Sequence, residues 1–226
     1  RSEPGRGPHD WRRTRAPPKL LTSHLRAKGD GLRDGYPGSR RHNVLQEQSM
    51  AEVTFPENWR QKFLRKLFSN AIARAMDLGA ELTESIRMAG LVHDIGDMHV
   101  PSEILSKPGR LSELEFSFVK LHPRSGYNIL KETGLPYPVA EIVLQHHERM
   151  NGSGYPQNLK GKDILLEARI LGVAEVAEAM SSARPYRPAL GIDAALGEIR
   201  KNKGTLYDAQ VVDACLTLFK TKKFQF

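Results

Sequence analysis

The chain of 226 residues is poor in the features that would build a disulfide-stabilised or membrane-spanning protein. It has one cysteine, Cys215, so no disulfide can form within it, and this usage fits a reducing compartment. No apolar run approaches the roughly 20 residues that a helix needs to cross a bilayer. Aromatic residues make up only 7% of the chain, which indicates that part of it lies outside a packed core. We therefore expect a cytoplasmic protein without a membrane partner.

The positive charge is concentrated near the N-terminus rather than spread over the chain. The first 50 residues hold 11 Lys and Arg against 5 Asp and Glu, whereas the other 176 hold 23 against 21. The basic stretch has no DNA-binding motif and no interleaved aromatic residues, so we expect no DNA partner. Its Arg, Gly, Pro and Ser content shows no sustained periodicity. We predict a basic leader of low order over residues 1–54 and a domain over residues 55–226.

From Phe55 onward, apolar residues recur at helical spacing, and no alternating strand pattern is present. In the first predicted helix, we assign the apolar stripe to Phe63, Leu67, Ile72 and Met76. The pattern predicts an all-α bundle with helices over about residues 57–78, 83–95, 113–129, 138–147, 166–180, 192–203 and 208–220. Ser112 and Glu115 predict a capping box, and Pro123 predicts a bend in the helix that follows.

Four histidines fall where these helices would place core residues: His93, His122, His146 and His147. A single such histidine is usually a hydrogen-bonded core residue. Four of them, with Asp94 beside His93, favour a metal site, because each buried polar group would otherwise cost a few kcal/mol. A mixed set of nitrogen and oxygen ligands suits Fe, Mn, Co, Ni or Zn better than Ca or Mg.

The spacing of these residues indicates which kind of metal site to expect. There is no cysteine pair for a zinc finger, and the ligands are spread over at least three helices, which excludes an H-E-x-x-H site. Two neighbouring residues on a helix point about 100° apart. The pair His93 and Asp94 and the pair His146 and His147 could therefore each contribute ligands to two adjacent metal ions, with Asp94 bridging the ions. Paired ions about 4 Å apart hydrolyse phosphoesters by activating water and stabilising charge.

The order of motifs resembles that of the HD-GYP family, a subgroup of the HD phosphohydrolases. The motifs are His93-Asp94-Ile95-Gly96, His146-His147-Glu148-Arg149 and Gly152-Ser153-Gly154-Tyr155-Pro156. Further similar stretches are Ile104 to Gly109, Ala168 to Ile170, and Arg184 to Arg187, so the resemblance extends from about residue 60 to the C-terminus. It implies an HD-domain helical bundle that hydrolyses cyclic di-GMP to the linear dinucleotide or GMP, using divalent metal ions, usually iron or manganese.

The resemblance also implies roles for residues that match the family's motifs. The implied metal ligands are His93, Asp94, His122, His146, His147 and Glu175, and the implied catalytic residues are His93, Asp94 and Asp97. The implied substrate-binding residues are Tyr155, Pro156, Arg184 and Arg187. Arginine can bind a phosphate or a guanine edge through two parallel hydrogen bonds, although ordinary helix C-terminal chemistry is an alternative for both arginines.

Three residues near the implied metals depart from the family pattern. Asp97 replaces a lysine that would contact the phosphate, Glu175 replaces an aspartate, and Gln61 replaces an early histidine. One metal ion would retain its full ligand set of Asp94, His122, His146 and His147. The neighbouring metal ion would lack one imidazole ligand, so we expect one or two bound ions. A solvated helix face is the alternative interpretation for Glu175 and Glu178.

These observations leave several functions open. The first is a cyclic di-GMP phosphodiesterase, with activity reduced by the departures at Gln61, Asp97 and Glu175. The second is a catalytically degenerate HD-GYP module that binds a nucleotide or a protein partner, and the third is hydrolysis of another phosphoester. Because family members are often joined to receiver or sensor domains, the resemblance also suggests bacterial two-component signalling, protein partners in that pathway, and a homodimer.

Overall fold

The computed structural model describes residues 57–183, 188–221 and 224, with side chains from residue 63 onward. The helices of that part of the chain are α1 (Glu57–Ala75), α2 (Ala80–Val92), α3 (Ser102–Leu105), α4 (Glu113–Val119), α5 (His122–Leu130), α6 (Val139–Gln145), α7 (Leu166–Ser181), α8 (Ile192–Lys201) and α9 (Ala209–Lys220). Two isolated β-bridges take the place of strands among these residues, so the predicted all-α fold is confirmed. No described helix has the length and apolar character required to cross a membrane. The predicted leader, residues 1–54, lies outside the described residues.

The buried face of α1 differs from the predicted stripe. Phe68 and Ile72 are fully buried and Arg65 is 5% exposed, whereas Phe63 and Leu67 are 52% and 39% exposed. Positions 65, 68, 69, 72 and 73 follow the i, i+3, i+4, i+7, i+8 spacing of one helix face. The predicted stripe is confirmed for Ile72, which is fully buried, and for Met76, which packs against the first apolar cluster, and it was wrong for Phe63 and Leu67. Arg65 takes a position on the buried face because carboxylates nearby pair with its charge.

Helix α7 separates two apolar clusters and contributes to both. Ile170 and Val173 pack in the first cluster, with side chains from α1, α2, α8 and α9. Leu171 packs in the second cluster, with side chains from α2, α5 and α6. Neighbouring residues on a helix point about 100° apart, so one helix can serve both clusters. The helices that carry the predicted metal ligands, α2, α5, α6 and α7, are thereby held against one another.

The segment predicted as one bent helix is two helices. Helix α4 ends at Val119, and α5 begins at His122 with Pro123 in its first turn. The predicted bend was wrong because a proline lacks the N–H that an interior helical position would need, and it suits a first turn instead. The predicted capping box is present: the Ser112 N–H donates to Glu115 Oε2 at 2.7 Å, and the Glu115 N–H donates to Ser112 Oγ at 3.3 Å.

Two of the histidine positions lie at helix ends rather than inside helices. Helix α2 ends at Val92 with His93 as its C-cap, and α6 ends at Gln145 with His146 as its C-cap. The predictions that these helices continue through residues 95 and 147 were wrong, because the chain turns at the motif itself. The carboxyl end of a helix carries partial negative charge, which favours a nearby cation.

Candidate metal centre

Two buried histidines point their Nε2 atoms at each other. The Nδ1 atoms of His122 and His146 lie 2.8 and 2.6 Å from the carbonyl oxygens of Val119 and Val143, to which they donate. With the Nδ1 proton used in this way, the Nε2 atom of each neutral ring presents a lone pair, and the two Nε2 atoms are 3.3 Å apart. Facing lone pairs repel unless a cation lies between them. A backbone carbonyl that fixes the ring in this way is the usual outer support of a metal-binding histidine.

His147 completes this histidine group. Its ring lies 4.1 Å from that of His146 and stacks on Tyr155 at 4.7 Å, measured between ring centroids. Burial lowers the pKa of His146 and of His147 well below the ordinary histidine value, and neighbouring histidines lower it further. Both rings are therefore neutral near pH 7, which is the form that binds metal ions. We name His122, His146 and His147 the histidine half of the site.

Asp94 provides an ionised carboxylate beside the histidine half. Burial acts to raise the pKa of Asp94, but the neighbouring His93 ring and the Arg65 guanidinium outweigh it and hold the pKa well below its ordinary value. Asp97 Oδ1 lies 3.9 Å from His122 Nδ1. Its side chain is one-third exposed, so Asp97 adds negative charge at the solvent side of the site.

The other side of the site is built around Arg65 of α1. Its Nη1 donates to His93 Nε2 at 2.7 Å and lies 3.3 Å from Asp94 Oδ2 and 3.5 Å from Glu175 Oε1. Its Nε lies 3.1 Å from Glu178 Oε2. We name Arg65, His93, Asp94, Glu175 and Glu178 the arginine half. The proposed solvated face was wrong for Glu178, which is fully buried and ion-paired, while Glu175 is 14% exposed.

The GYP loop covers the histidine half. Its Tyr155 lies on the His147 ring, and Pro156 follows it in the same half-buried loop. The Glu148 carboxylate anchors the loop by accepting hydrogen bonds from the Gln157 N–H at 2.7 Å and the Leu159 N–H at 3.0 Å. A Cβ at Gly154 would overlap the backbone of residues 147–149, so the close return of the loop requires glycine.

The structure brings all six implied ligands into groups of neighbouring donor atoms. Among the described residues, three groups have donor atoms within 4.8 Å of one another: His122 with His146 and His147, His93 with Asp94 and Glu175, and Asp94 with Asp97 and His122. Arg184 and Arg187 lie outside the described residues, as does the Gln61 side chain. Their predicted roles, like those of the ligands, stay predictions.

Arg65, Glu178 and Glu148 belong to the site but were not identified from the sequence. The available signal for Arg65 was its spacing, because it precedes Phe68 and Ile72 by three and seven residues and so shares their buried face. A charged residue at a core position needs an opposite charge nearby. No comparable signal was available for Glu148, whose partners are backbone N–H groups of a loop.

Residues 45–211 match the model of a family described as HD domain. Among curated proteins, the chain is 40% identical over 168 residues to the cyclic di-GMP phosphodiesterase response regulator RpfG of Xanthomonas campestris, a match that covers 73% of this chain and 44% of RpfG. It is 38% identical over 144 residues to 3′3′-cGAMP-specific phosphodiesterase 1 of Vibrio cholerae, which covers 63% of this chain and 33% of that protein. The chain spans less than half of the length of these relatives.

Solved structures share the fold at lower sequence identity. Bd1817, an HDG"Y"P protein from Bdellovibrio bacteriovorus, matches with a TM-score of 0.60 at 20% identity, covering 72% of this chain and 52% of that one. The HD domain of the Listeria monocytogenes phosphodiesterase PgpH, solved with cyclic-di-AMP, matches with a TM-score of 0.55 at 18% identity, covering 74% of this chain and 92% of that one. These likenesses confirm the helical architecture.

Proposed function

Because the chain belongs to the HD domain family and carries the HD, HHE and GYP motifs of its HD-GYP type, we propose that it is a metal-dependent phosphodiesterase that hydrolyses cyclic di-GMP. The observation that carries this proposal is the pair of buried Nε2 atoms, on His122 and His146, that face each other at 3.3 Å beside the ionised Asp94. Such an arrangement of lone pairs and a carboxylate is suited to a divalent cation.

The proposed ligands of this cation are the three histidines of the histidine half and Asp94. The donor set fits, since burial favours the neutral rings of His146 and His147, and backbone carbonyls accept from the Nδ1 atoms of His122 and His146. Two or more nitrogen ligands with a carboxylate suit iron or manganese, which are the metals we propose. When bound, the ion supplies Lewis acidity toward a phosphoryl oxygen and lowers the pKa of bound water.

The remaining steps are assigned to side chains of the chain itself. Asp94, held ionised, can orient the attacking water by accepting a hydrogen bond from it. Tyr155, stacked on His147, forms an apolar wall against which a nucleobase or ribose can lie and excludes water from that side. Asp97 places negative charge near the phosphodiester, so it lowers the affinity for substrate. Arg184 and Arg187 are proposed to contact a phosphate or a guanine edge, as the resemblance implies.

The substrate class follows from the names of the relatives. RpfG is named for cyclic di-GMP, and the Vibrio cholerae protein is named for 3′3′-cGAMP. We propose cyclic di-GMP as the preferred substrate, in the bacterial cytoplasm, with partners from two-component signalling. The buried free thiol of Cys215 is compatible with a reducing compartment.

The direct test is hydrolysis by the purified full chain under reducing conditions with Mn²⁺ or Fe²⁺. We expect cyclic di-GMP to be converted to the linear dinucleotide or GMP, detected by chromatography, and 3′3′-cGAMP to react more slowly. His146→Ala should abolish turnover. Arg87→Ala should not, because Arg87 pairs with Glu84 on α2 outside the site. Absence of product from metal-loaded wild-type protein would refute the proposal.

A second candidate function is binding without turnover. It is favoured by Asp97, whose carboxylate lies where the family usually has a cationic phosphate contact, 3.9 Å from His122. Calorimetric binding of cyclic di-GMP without product would support this function. Turnover at a rate that Asp97→Lys increases would instead show that the domain is an enzyme with a weakened phosphate contact.

A further inference from the structure

We infer that the Arg65 guanidinium serves as a built-in cation of this site, so that the chain holds a single metal ion, in the histidine half, instead of a pair. The inference rests on the proposed function, because it assumes that the histidine half binds a divalent ion. The inference concerns the neighbouring arginine half, where His93, Asp94 and Glu175 form a second group of possible metal ligands.

The contacts of Arg65 are with the same three residues that would hold a second ion. Its Nη1 lies 2.7 Å from His93 Nε2, 3.3 Å from Asp94 Oδ2 and 3.5 Å from Glu175 Oε1. One nitrogen atom is thus surrounded by one imidazole and two carboxylates. A metal ion at this position would have to displace that nitrogen.

The hydrogen bonding of His93 shows that its metal-binding lone pair is already used. His93 Nδ1 donates to the Gly90 carbonyl oxygen at 3.0 Å, so Nε2 is the atom that faces the site with a lone pair. A guanidinium has five N–H donors and no acceptor. The 2.7 Å contact is therefore Arg65 donating to the lone pair of Nε2, which is the pair that would otherwise bind a metal.

The charge of Arg65 cannot be removed at ordinary pH. Arginine stays protonated in proteins, and the Arg65 guanidinium lies 3.1–3.5 Å from carboxylate oxygens of Asp94, Glu175 and Glu178. A divalent ion at the same place would meet a fixed positive charge within a few ångström, in surroundings that screen it less than water does. The repulsion disfavours a second ion while Arg65 is present.

The position of Arg65 is fixed by the fold rather than by the flexible end of its side chain. Phe68 and Ile72, on the same face of α1, are fully buried in the first apolar cluster. The Arg65 side chain is 6% exposed. Moving the guanidinium into solvent would break its ion pairs with Asp94 at 3.3 Å and with the fully buried Glu178 at 3.1 Å. Arg65 is thus a positioning residue for Asp94 as well as a counter-charge.

The test is the number of metal ions bound by the full chain. Protein loaded with excess Mn²⁺ under reducing conditions, then dialysed, is analysed for metal and protein. We expect about one ion per chain for the wild type, and about two for Arg65→Ala, because three protein ligands are enough for a metal site with an open position. Arg65→Lys keeps a charge and should stay near one. Arg87→Ala removes a guanidinium that contacts Glu84 instead, and should also stay near one.

Each other outcome contradicts a specific statement. About two ions in the wild type, or an unchanged count in Arg65→Ala, would overturn the role of Arg65 while leaving the proposed function intact. No bound ion in the wild type would overturn the proposed function, and the inference with it. If Arg65→Ala does not fold, the wild-type EPR spectrum decides, because an isolated Mn²⁺ ion supports the inference and an exchange-coupled pair refutes it.

Discussion

The two halves of the site satisfy buried polar groups in different ways. In the histidine half, the Nδ1 protons of His122 and His146 are bound by carbonyls and their Nε2 lone pairs face each other, an arrangement that we propose is completed by a divalent cation from solution. In the arginine half, the lone pair of His93 and the nearby carboxylates already face the Arg65 guanidinium. An internal cation neutralises the carboxylates around it at all times, and its removal would leave them buried without that charge, whereas an external cation can also activate water. We therefore expect substitutions in the histidine half to reduce metal affinity, and substitutions in the arginine half to reduce the free energy of unfolding.

The largest effect is expected from removing a ligand in the histidine half. His146→Ala deletes one of the two facing Nε2 atoms. Replacing a partner that merely supports a metal ligand weakens metal affinity about 10- to 100-fold, so loss of a ligand should exceed that range. Calorimetric titration with Mn²⁺ measures the change. An affinity within a few fold of the wild type would show that the ion binds elsewhere.

The next largest effect is expected on the stability of the metal-free protein when a charge in the arginine half is removed. Glu178→Gln keeps the shape of the side chain but removes a charge that pairs with Arg65 at 3.1 Å in the core. Breaking a buried ion pair lowers the free energy of unfolding by about 3–5 kcal/mol. Urea unfolding of metal-free protein measures this change, and the Mn²⁺ affinity of the histidine half should stay nearly the same. A stability within about 0.5 kcal/mol of the wild type would contradict the account.

Gly96→Ala should disturb the contact that places His122. An added Cβ at Gly96 would overlap the carbonyl of His122, so the turn that follows Asp94 must move away from α5. Overpacking of this kind costs about 1–3 kcal/mol of stability, and we expect weaker Mn²⁺ binding with it. Thermal unfolding and calorimetry measure the two effects.

The matched control for this change is Gly197→Ala. Gly197 lies in α8 with no atom within 4 Å of an added Cβ, so alanine should stabilise the helix by about 0.5–1 kcal/mol. Equal effects of the two substitutions would mean that the contact between Gly96 and His122 has no role in the histidine half.

The smallest effect is expected at an exposed ion pair outside both halves. Hydrogen bonds from Lys107 and then from Ser112 lower the pKa of Glu115 from 4.5 to about 2. Because the pKa is lower in the folded chain, this stabilisation is present above pH 4.5 and is lost as the pH falls toward about 2. The wild type should therefore have a slightly higher Tm than Glu115→Gln near pH 7, and the difference should disappear toward pH 2. A difference that does not change with pH would contradict this assignment.

The sequence allowed prediction of the histidine half and of the burial of His93, but not of the ion pair between Arg65 and Glu178 in the arginine half. His93, His122 and His146 follow apolar residues at helical spacing, so their burial could be predicted from periodicity. Arg65 and Glu178 are charged residues on helix faces, and a solvent-exposed position is the usual interpretation of such residues. Only the packing of α1 against α7 shows that they neutralise each other.

The apolar spacing in the sequence also did not predict where the helices at the site end. Residues 113–129 and 138–147 have the apolar spacing of continuous helices, yet the chain breaks before His122 and after Gln145. The break before His122 coincides with Pro123, whereas the break after Gln145 is accompanied by a tertiary contact, the hydrogen bond from the Tyr155 N–H to the His147 carbonyl at 3.3 Å. Local periodicity does not report such contacts.

The contrast between the two halves is tested most directly by locating manganese in crystals of the full chain by anomalous scattering. We expect one peak per chain, bound by the Nε2 atoms of His122 and His146, and none between His93 and Glu175, where the Arg65 guanidinium lies. A peak between His93 and Glu175, or no peak at the histidines of metal-loaded protein, would contradict it.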